Sequence, residues 1–185
     1  MSDLVPLTGE PPALDLVNTL TAAGDLLASP RDLLAWWELE AGRLPEAVPA
    51  EAGAEDLTAV RAVREHLARA LDHVRRGERP PSADLEALNR AQRAAPAIDE
   101  VVWEGEAVVV ARRRDGSPGV RLAACLAEDA ARLLADPAVT GIRTCEADDC
   151  VMLFLPTHPR RRWCSAARCG NRARVARHYQ RHKAR

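Results

Sequence analysis

Apolar residues recur along this chain at helical spacing through most of its first 135 positions. From Leu57 through Val60, Val63 or Arg64, Leu67 and Leu71 to Val74 they fall at three- and four-residue steps. That period predicts an amphipathic helix over about 55–76, stopped by Gly77 and followed by Pro80-Pro81. Ser29-Pro30-Arg31-Asp32 is a helix opening, with Ser29 as N-cap and Pro30 in the first turn, and that helix runs through Leu33, Leu34, Trp36 and Trp37 to about Gly42. The two tryptophans are adjacent, so only one is expected to point fully into a core. Ser82 is read as the cap of a short helix with Leu85 and Leu88 inward. A further helix spans about Val120–Ala135, where Leu122, Cys125, Leu126, Ala130, Leu133 and Leu134 share a broad face. On that face Cys125 reads as a core residue. The apolar stretch Pro11–Leu20 fits either a short strand or a helix start.

The period changes between 97 and 113. Ile98, Val101, Val102 and Trp103 precede Glu104-Gly105-Glu106, and Val108, Val109 and Val110 follow, which predicts one β-hairpin. Val151–Leu155 reads as a second strand region, within a small hairpin beside which Trp163 can pack. The expected fold class is α+β, mainly α. A helical N-terminal domain with one hairpin (1–140) precedes a small four-cysteine module ending in a basic helix (141–185).

Aromatic residues make up only 3 % of the 185, so Leu, Val and Ala must build the core. Net charge is −1, but it is unevenly placed. Residues 150–185 hold ten Arg or Lys and no acid, while residues 1–149 hold sixteen bases against twenty-seven acids, a split of +10 and −11. Such a split suggests an acidic body joined to a polyanion-binding tail. The alternative is a solvated helix that neutralises the protein's own body. No basic leader or long apolar run is visible, so a cytoplasmic protein without a membrane span is expected.

Four cysteines lie in that tail's approach. Cys145 and Cys150 have four residues between them, as do Cys164 and Cys169, and thirteen separate the pairs. In a reducing compartment matched pairs read as metal ligands, and four thiolates make a closed structural zinc site. An iron–sulfur cluster uses the same ligands, and a disulfide pair is the third reading. Four thiolates leave no position for a reactive water, and no nucleophile–base pair or phosphate loop is seen, so no enzyme is expected. His158, between Pro156 and Pro159, reads as a turn residue rather than a ligand. After Cys169, Gly170 permits a sharp turn and Asn171 is a plausible N-cap. The helix that follows is expected to turn Val175 and Tyr179 toward the zinc hairpin and to expose Arg174, Arg177 and Arg181. With Arg160, Arg161, Arg162 and Arg172 these are the expected phosphate and base contacts.

The run from Arg161 to Arg172, RRWCSAARCGNR, closely resembles the namesake motif of the CGNR zinc-finger family of bacterial stress-induced transcription regulators. Upstream, Leu14-Asp15-Leu16-Val17-Asn18-Thr19 looks like the start of the ABATE domain these proteins carry. The two likenesses cover nearly the whole chain. They imply zinc at the four cysteines and DNA contact by the C-terminal module. Pro156 departs from the family, whose members often carry an acid there. A single helix reads few base pairs, which points to a homodimer, and a pocket at Asn18 and Thr19 would take a small-molecule effector. Asn18 and Thr19 either line a ligand pocket or satisfy buried backbone groups and helix ends. The competing function is a zinc-organised surface for RNA or an acidic protein.

Overall fold

The computed structural model describes residues 8–183, with the side chains of residues 177, 178 and 180–183 outside the description. Six α-helices and three two-stranded antiparallel sheets are seen among the described residues. The first helix, α1 (Pro12–Val17), leads into a tiny hairpin, β1 (Leu20–Thr21) and β2 (Gly24–Asp25), that has no clear periodic signal in the sequence. Next come α2 (Pro30–Glu40), α3 (Ala54–Arg75) and α4 (Ser82–Ala94). The long hairpin is β3 (Ile98–Glu104) and β4 (Ala107–Arg113), and α5 (Pro118–Ala135) completes the body. Gly105 sits at the hairpin tip with φ +61°, the left-handed region a glycine enters freely.

Helices α3, α4 and α5 pack mutually, and α1 lies across α3 and α5. Their apolar faces meet in one core that contains Leu14, Leu16, Leu33, Leu67, Leu71, Leu122 and Leu126. The sequence period placed these faces correctly, but α2 is buried more deeply than one face allows. Trp36 and Trp37 are both buried, against the expectation for adjacent residues. The helix is clasped on two sides, and Trp37 Nε1 donates to the Glu46 carbonyl at 3.1 Å.

Helix starts are fixed by side chains. Ser29 and Asp32 form a reciprocal capping box on α2. Asp56 serves two helices at once. One carboxylate oxygen accepts from the Gly53 amide at 2.8 Å at the start of α3, and the other accepts from the Gly119 amide at 2.8 Å and the Ser117 hydroxyl at 2.9 Å at the start of α5. A methyl group on Gly119 would lie 2.2 Å from the Asp56 Cα, so this crossing requires glycine. At α4, Ser82 is the first helical residue rather than the cap, which is Pro81, and only Leu88 of the expected pair is fully buried.

A 3-10 turn (Pro137–Gly141) leads to the C-terminal module. It contains the short pair β5 (Arg143–Thr144) and β6 (Leu153–Phe154), a π-helical turn (Ala166–Gly170) and α6 (Asn171–Lys183). No helix among the described residues is long and apolar enough to cross a membrane.

A candidate metal centre and its anchorage

Strand alternation sorts β6 and its neighbour between two environments. Phe154 is fully buried in a small cluster with Cys145, Cys164 and Cys169, against which Trp163 packs. Leu153 and Leu155 face the other way and join the body core. The strand is shorter than the expected 151–155, and the cysteines flank the pair instead of lying in it: Cys145 follows β5, and Cys150 precedes β6.

The four thiols converge, with all Sγ atoms within 4.8 Å of one another. Cys164 lies 3.6 Å from Cys169 and 3.9 Å from Cys150, and Cys150 lies 3.7 Å from Cys169. A tetrahedral ion with Zn–S bonds of ~2.3 Å needs S···S edges of about 3.8 Å. A disulfide needs ~2.0 Å, and a cluster of several irons spreads its thiolates farther apart. The spacing therefore fits one tetrahedral ion. His158 is outside the cluster; its Nδ1 accepts from the Arg160 amide at 3.1 Å, as a turn residue does.

Burial and mutual repulsion oppose ionisation of two of the thiols, an effect a bound cation would offset. Burial raises the Cys164 thiol far above its ordinary value, and the other thiols raise it further. Burial also pushes Cys150 up, to about 11, with Cys145 and Cys169 adding to the effect. Burial acts in the same direction on Cys145, but the amides of Cys164 and Ala147 donate to its sulfur and bring the net shift down. The arrangement is a thiolate cage with backbone N–H groups aimed at sulfur, and a dication relieves the mutual repulsion of its ligands. Cys125, by contrast, is isolated in the α5 core face, and burial pushes its thiol up to about 11.

Arg161 is half-buried and ties the loops of the module together. Its guanidinium donates to the carbonyls of Cys164 (2.6 Å), Leu155 (3.2 Å) and Trp163 (3.2 Å), and its carbon lies 4.5 Å from the Phe154 ring centre. Its partner across the junction is Glu10, at 2.6 Å. Where the sequence pointed to a polyanion contact, the planar five-donor group ties loop carbonyls together. Arg162 pairs with Glu146 beside the Trp163 ring. Arg172 donates to Cys169 Sγ at 3.3 Å, next to the metal site, while remaining exposed. Arg160 and Arg174 are exposed, with Arg174 Nη1 3.4 Å from the Asn171 side-chain oxygen. Arg177 and Arg181 have side chains outside the described residues. Asn171 is already helical, so it does not cap α6; Ser165 caps the π-helical turn that runs into it. Val175 and Tyr179, expected against the zinc hairpin, are exposed.

Asn18 and Thr19 are buried and engaged. The Asn18 side chain accepts from the Leu153 amide at 2.8 Å and donates to the Leu153 carbonyl at 2.9 Å, mimicking a neighbouring strand. Thr19 donates to the Leu16 carbonyl at 2.6 Å and accepts from Arg64 at 3.0 Å. Their hydrogen bonds match the reading in which they satisfy buried backbone and polar groups. Glu10 adds a second clamp by accepting from the Leu155 amide at 2.9 Å. Arg75 adds a third, donating to the Ile142 carbonyl and the Thr144 hydroxyl.

The clamp continues inward. Glu10 accepts from Arg43 through its carbonyl, and Arg43 Nη1 lies 2.6 Å from both Asp15 and Glu40. Burial raises the Asp15 carboxyl to about 7, against the pull of Arg43 and the Gly9 amide, and it raises Glu40 as well. Periodicity gave no sign of this network. The one available signal was acids inside apolar runs, Asp15 between Leu14 and Leu16 and Glu40 at the end of a Trp-bearing helix.

A helical body clamped to a four-thiolate metal knuckle with a trailing basic helix defines a two-part zinc-finger protein. A family model described as "ABATE: Putative stress-induced transcription regulator" matches residues 10–137, and the CGNR zinc-finger model matches residues 141–182. The chain belongs to this family. It carries a CGNR zinc finger whose four cysteines can hold one zinc ion. No curated protein matches it.

Proposed function

We propose that this protein is a DNA-binding transcription regulator whose zinc knuckle sets the position of a basic helix on the duplex. The observation that carries this reading is continuity: the last ligand, Cys169, lies two residues before the start of α6, so the metal fixes the helix at its root. Arg172 and Arg174 are exposed on the first turn of that helix, and Arg160 is exposed on the loop before the second cysteine pair. Arginine binds phosphate in two-pronged fashion, and a helix fits the major groove. The family description supports transcription as the setting. A stress or small-molecule signal would then act on the body. Since Asn18 and Thr19 are engaged internally, the candidate effector groove lies along α2, a cavity of about 380 Å³ lined by Asp25, Leu26, Trp36 and Leu39 among others. A regulator of this type acts in the reducing cytoplasm and carries no catalytic site.

The test is fluorescence anisotropy with duplex DNA and zinc-loaded protein across a salt series. Affinity should fall steeply with salt, and Arg172→Ala/Arg174→Ala should lower it and reduce the slope by about two phosphate contacts. Unchanged affinity in that variant removes α6 as the contact surface. Stronger competition by RNA than by duplex DNA would favour the RNA-module reading.

A further inference from the structure

The β3–β4 hairpin leaves one face uncovered. Its cross-strand pairs alternate between two sides, and one side carries Asp99 with Arg112, Val101 with Val110, and Trp103 with Val108. On that side Val101 is 72 % exposed, Trp103 71 %, Val108 61 % and Val110 66 %. On the other, Val102, Val109 and Ala111 are half-buried. The apolar side therefore looks outward. Neither strand has another strand beside it among the described residues. A two-stranded hairpin is marginal on its own, and a contiguous apolar patch rimmed by charge marks a contact surface.

We propose that this face joins two copies of the chain about a two-fold axis parallel to the strands. Such an axis lays β3 of one copy over β4 of the other at equal height. Each residue then meets its own cross-strand partner from the second copy. Trp103 packs on Val108, Val101 on Val110, and Asp99 faces Arg112, each contact occurring twice. Apolar groups meet apolar groups, and carboxylate meets guanidinium. The other stacking axis, across the strands through Val101 and Val110, sets Trp103 on Asp99 and Val108 on Arg112, burying charge against hydrocarbon. Edge-to-edge pairing leaves the apolar face in water, and along β3 it gathers the acids Asp99, Glu100 and Glu104. Charge complementarity thus selects a second copy in the first arrangement. The contact is self-complementary and closes at two. Arg112 already holds a long 3.8 Å pair with Glu128 of its own chain, and the contact with Asp99 of the second copy replaces that pair. The four apolar side chains offer roughly 450 Å² per copy, below the ~800 Å² per partner of a standard interface, so a weak, micromolar dimer is expected.

Sedimentation equilibrium of the zinc-loaded full chain tests this, over roughly 1–200 µM. The average mass should climb from 20.1 kDa toward twice that value. Trp103→Asp should hold the protein monomeric with an unchanged far-UV spectrum, since the residue is 71 % exposed. Asp99→Arg and Arg112→Asp should each weaken the dimer about tenfold, and the two together should restore it to within about threefold of the parent. A parent chain that stays monomeric throughout overturns the proposal and leaves the face to a different partner. A dimer indifferent to Trp103→Asp overturns the assigned surface, and a double reversal that fails to restore association overturns the assigned axis.

Discussion

The body and the zinc module solve the same problem with different means. The body buries more than twenty apolar side chains in one core, most of them leucine, valine and alanine. The module buries one large apolar side chain fully, Phe154, and gathers the rest of its interior from cysteine sulfur, partly buried Met152 and Trp163, and the guanidinium of Arg161. Apolar burial contributes about 25 cal/mol per Å², so so small an interior cannot offset the entropy of ordering forty residues, and a metal must supply what packing lacks. The junction joins the two strategies: Leu153 and Leu155 belong to the body core, while Phe154 between them belongs to the module.

The comparison breaks most sharply at the ligands. Cys164→Ser should abolish stoichiometric zinc and unfold residues 143–170, since zinc contributes roughly 10–16 kcal/mol in comparable peptides. Hydrogen exchange should show α3 and α5 still protected. A variant with full zinc content would contradict the ligand set. In the body the equivalent blow is steric. Gly119→Ala drives a methyl group into the Asp56 backbone and should cost about 4 kcal/mol or more by urea unfolding. Gly170→Ala in the module places its methyl group 3.5 Å from the Trp163 ring and the Ser165 carbonyl, an ordinary contact, and should cost less than about 1 kcal/mol. Equal losses at the two glycines would mean that the close approach of α3 and α5 is not rigid.

Buried carboxylates distinguish the regions by pH. Asp15 is raised to about 7 in the fold, from an ordinary value of 3.8. The folded state therefore holds a proton that the unfolded chain has released. The associated stability is full below pH 4 and is lost as pH rises through 7. Asp15→Asn should flatten this dependence, a difference of at most about 4 kcal/mol between pH 4 and 7.5, read from urea midpoints. An unaltered pH profile would mean that Asp15 stays ionised beside Arg43. The junction itself is sharpened by Asn18→Ala. It orphans the amide and carbonyl of Leu153 and should cost about 2–3 kcal/mol while leaving zinc bound. Loss of zinc from that variant would show that the module cannot hold its shape undocked.

Much of the body was legible because its information is local. Apolar steps of three and four gave α3 and α5 to within two residues, and the Ser29-Pro30 opening gave α2 its start. The hairpin was legible from valine runs about Gly105. The β1–β2 pair was not, because two residues per strand carry no period. The four candidate ligands were legible from their matched spacing and number, although the same set left an iron–sulfur cluster and a disulfide open. Which arginines face outward was not: Arg160, Arg161 and Arg162 are consecutive and chemically identical, yet the first and last are exposed, the last also paired with Glu146, and the middle one is the hub of the module.

The sequence by itself determined the helical periods, the four thiols and the unbalanced charge, because each is a property of residue type and spacing along the chain. Only the tertiary structure decided that Asn18 and Glu10 clamp the module, that Arg161 turns inward, and that Val101, Val108, Val110 and Trp103 of the hairpin face water. Those outcomes depend on which distant backbone groups come within hydrogen-bond reach of one another, and on which surfaces the rest of the fold leaves uncovered.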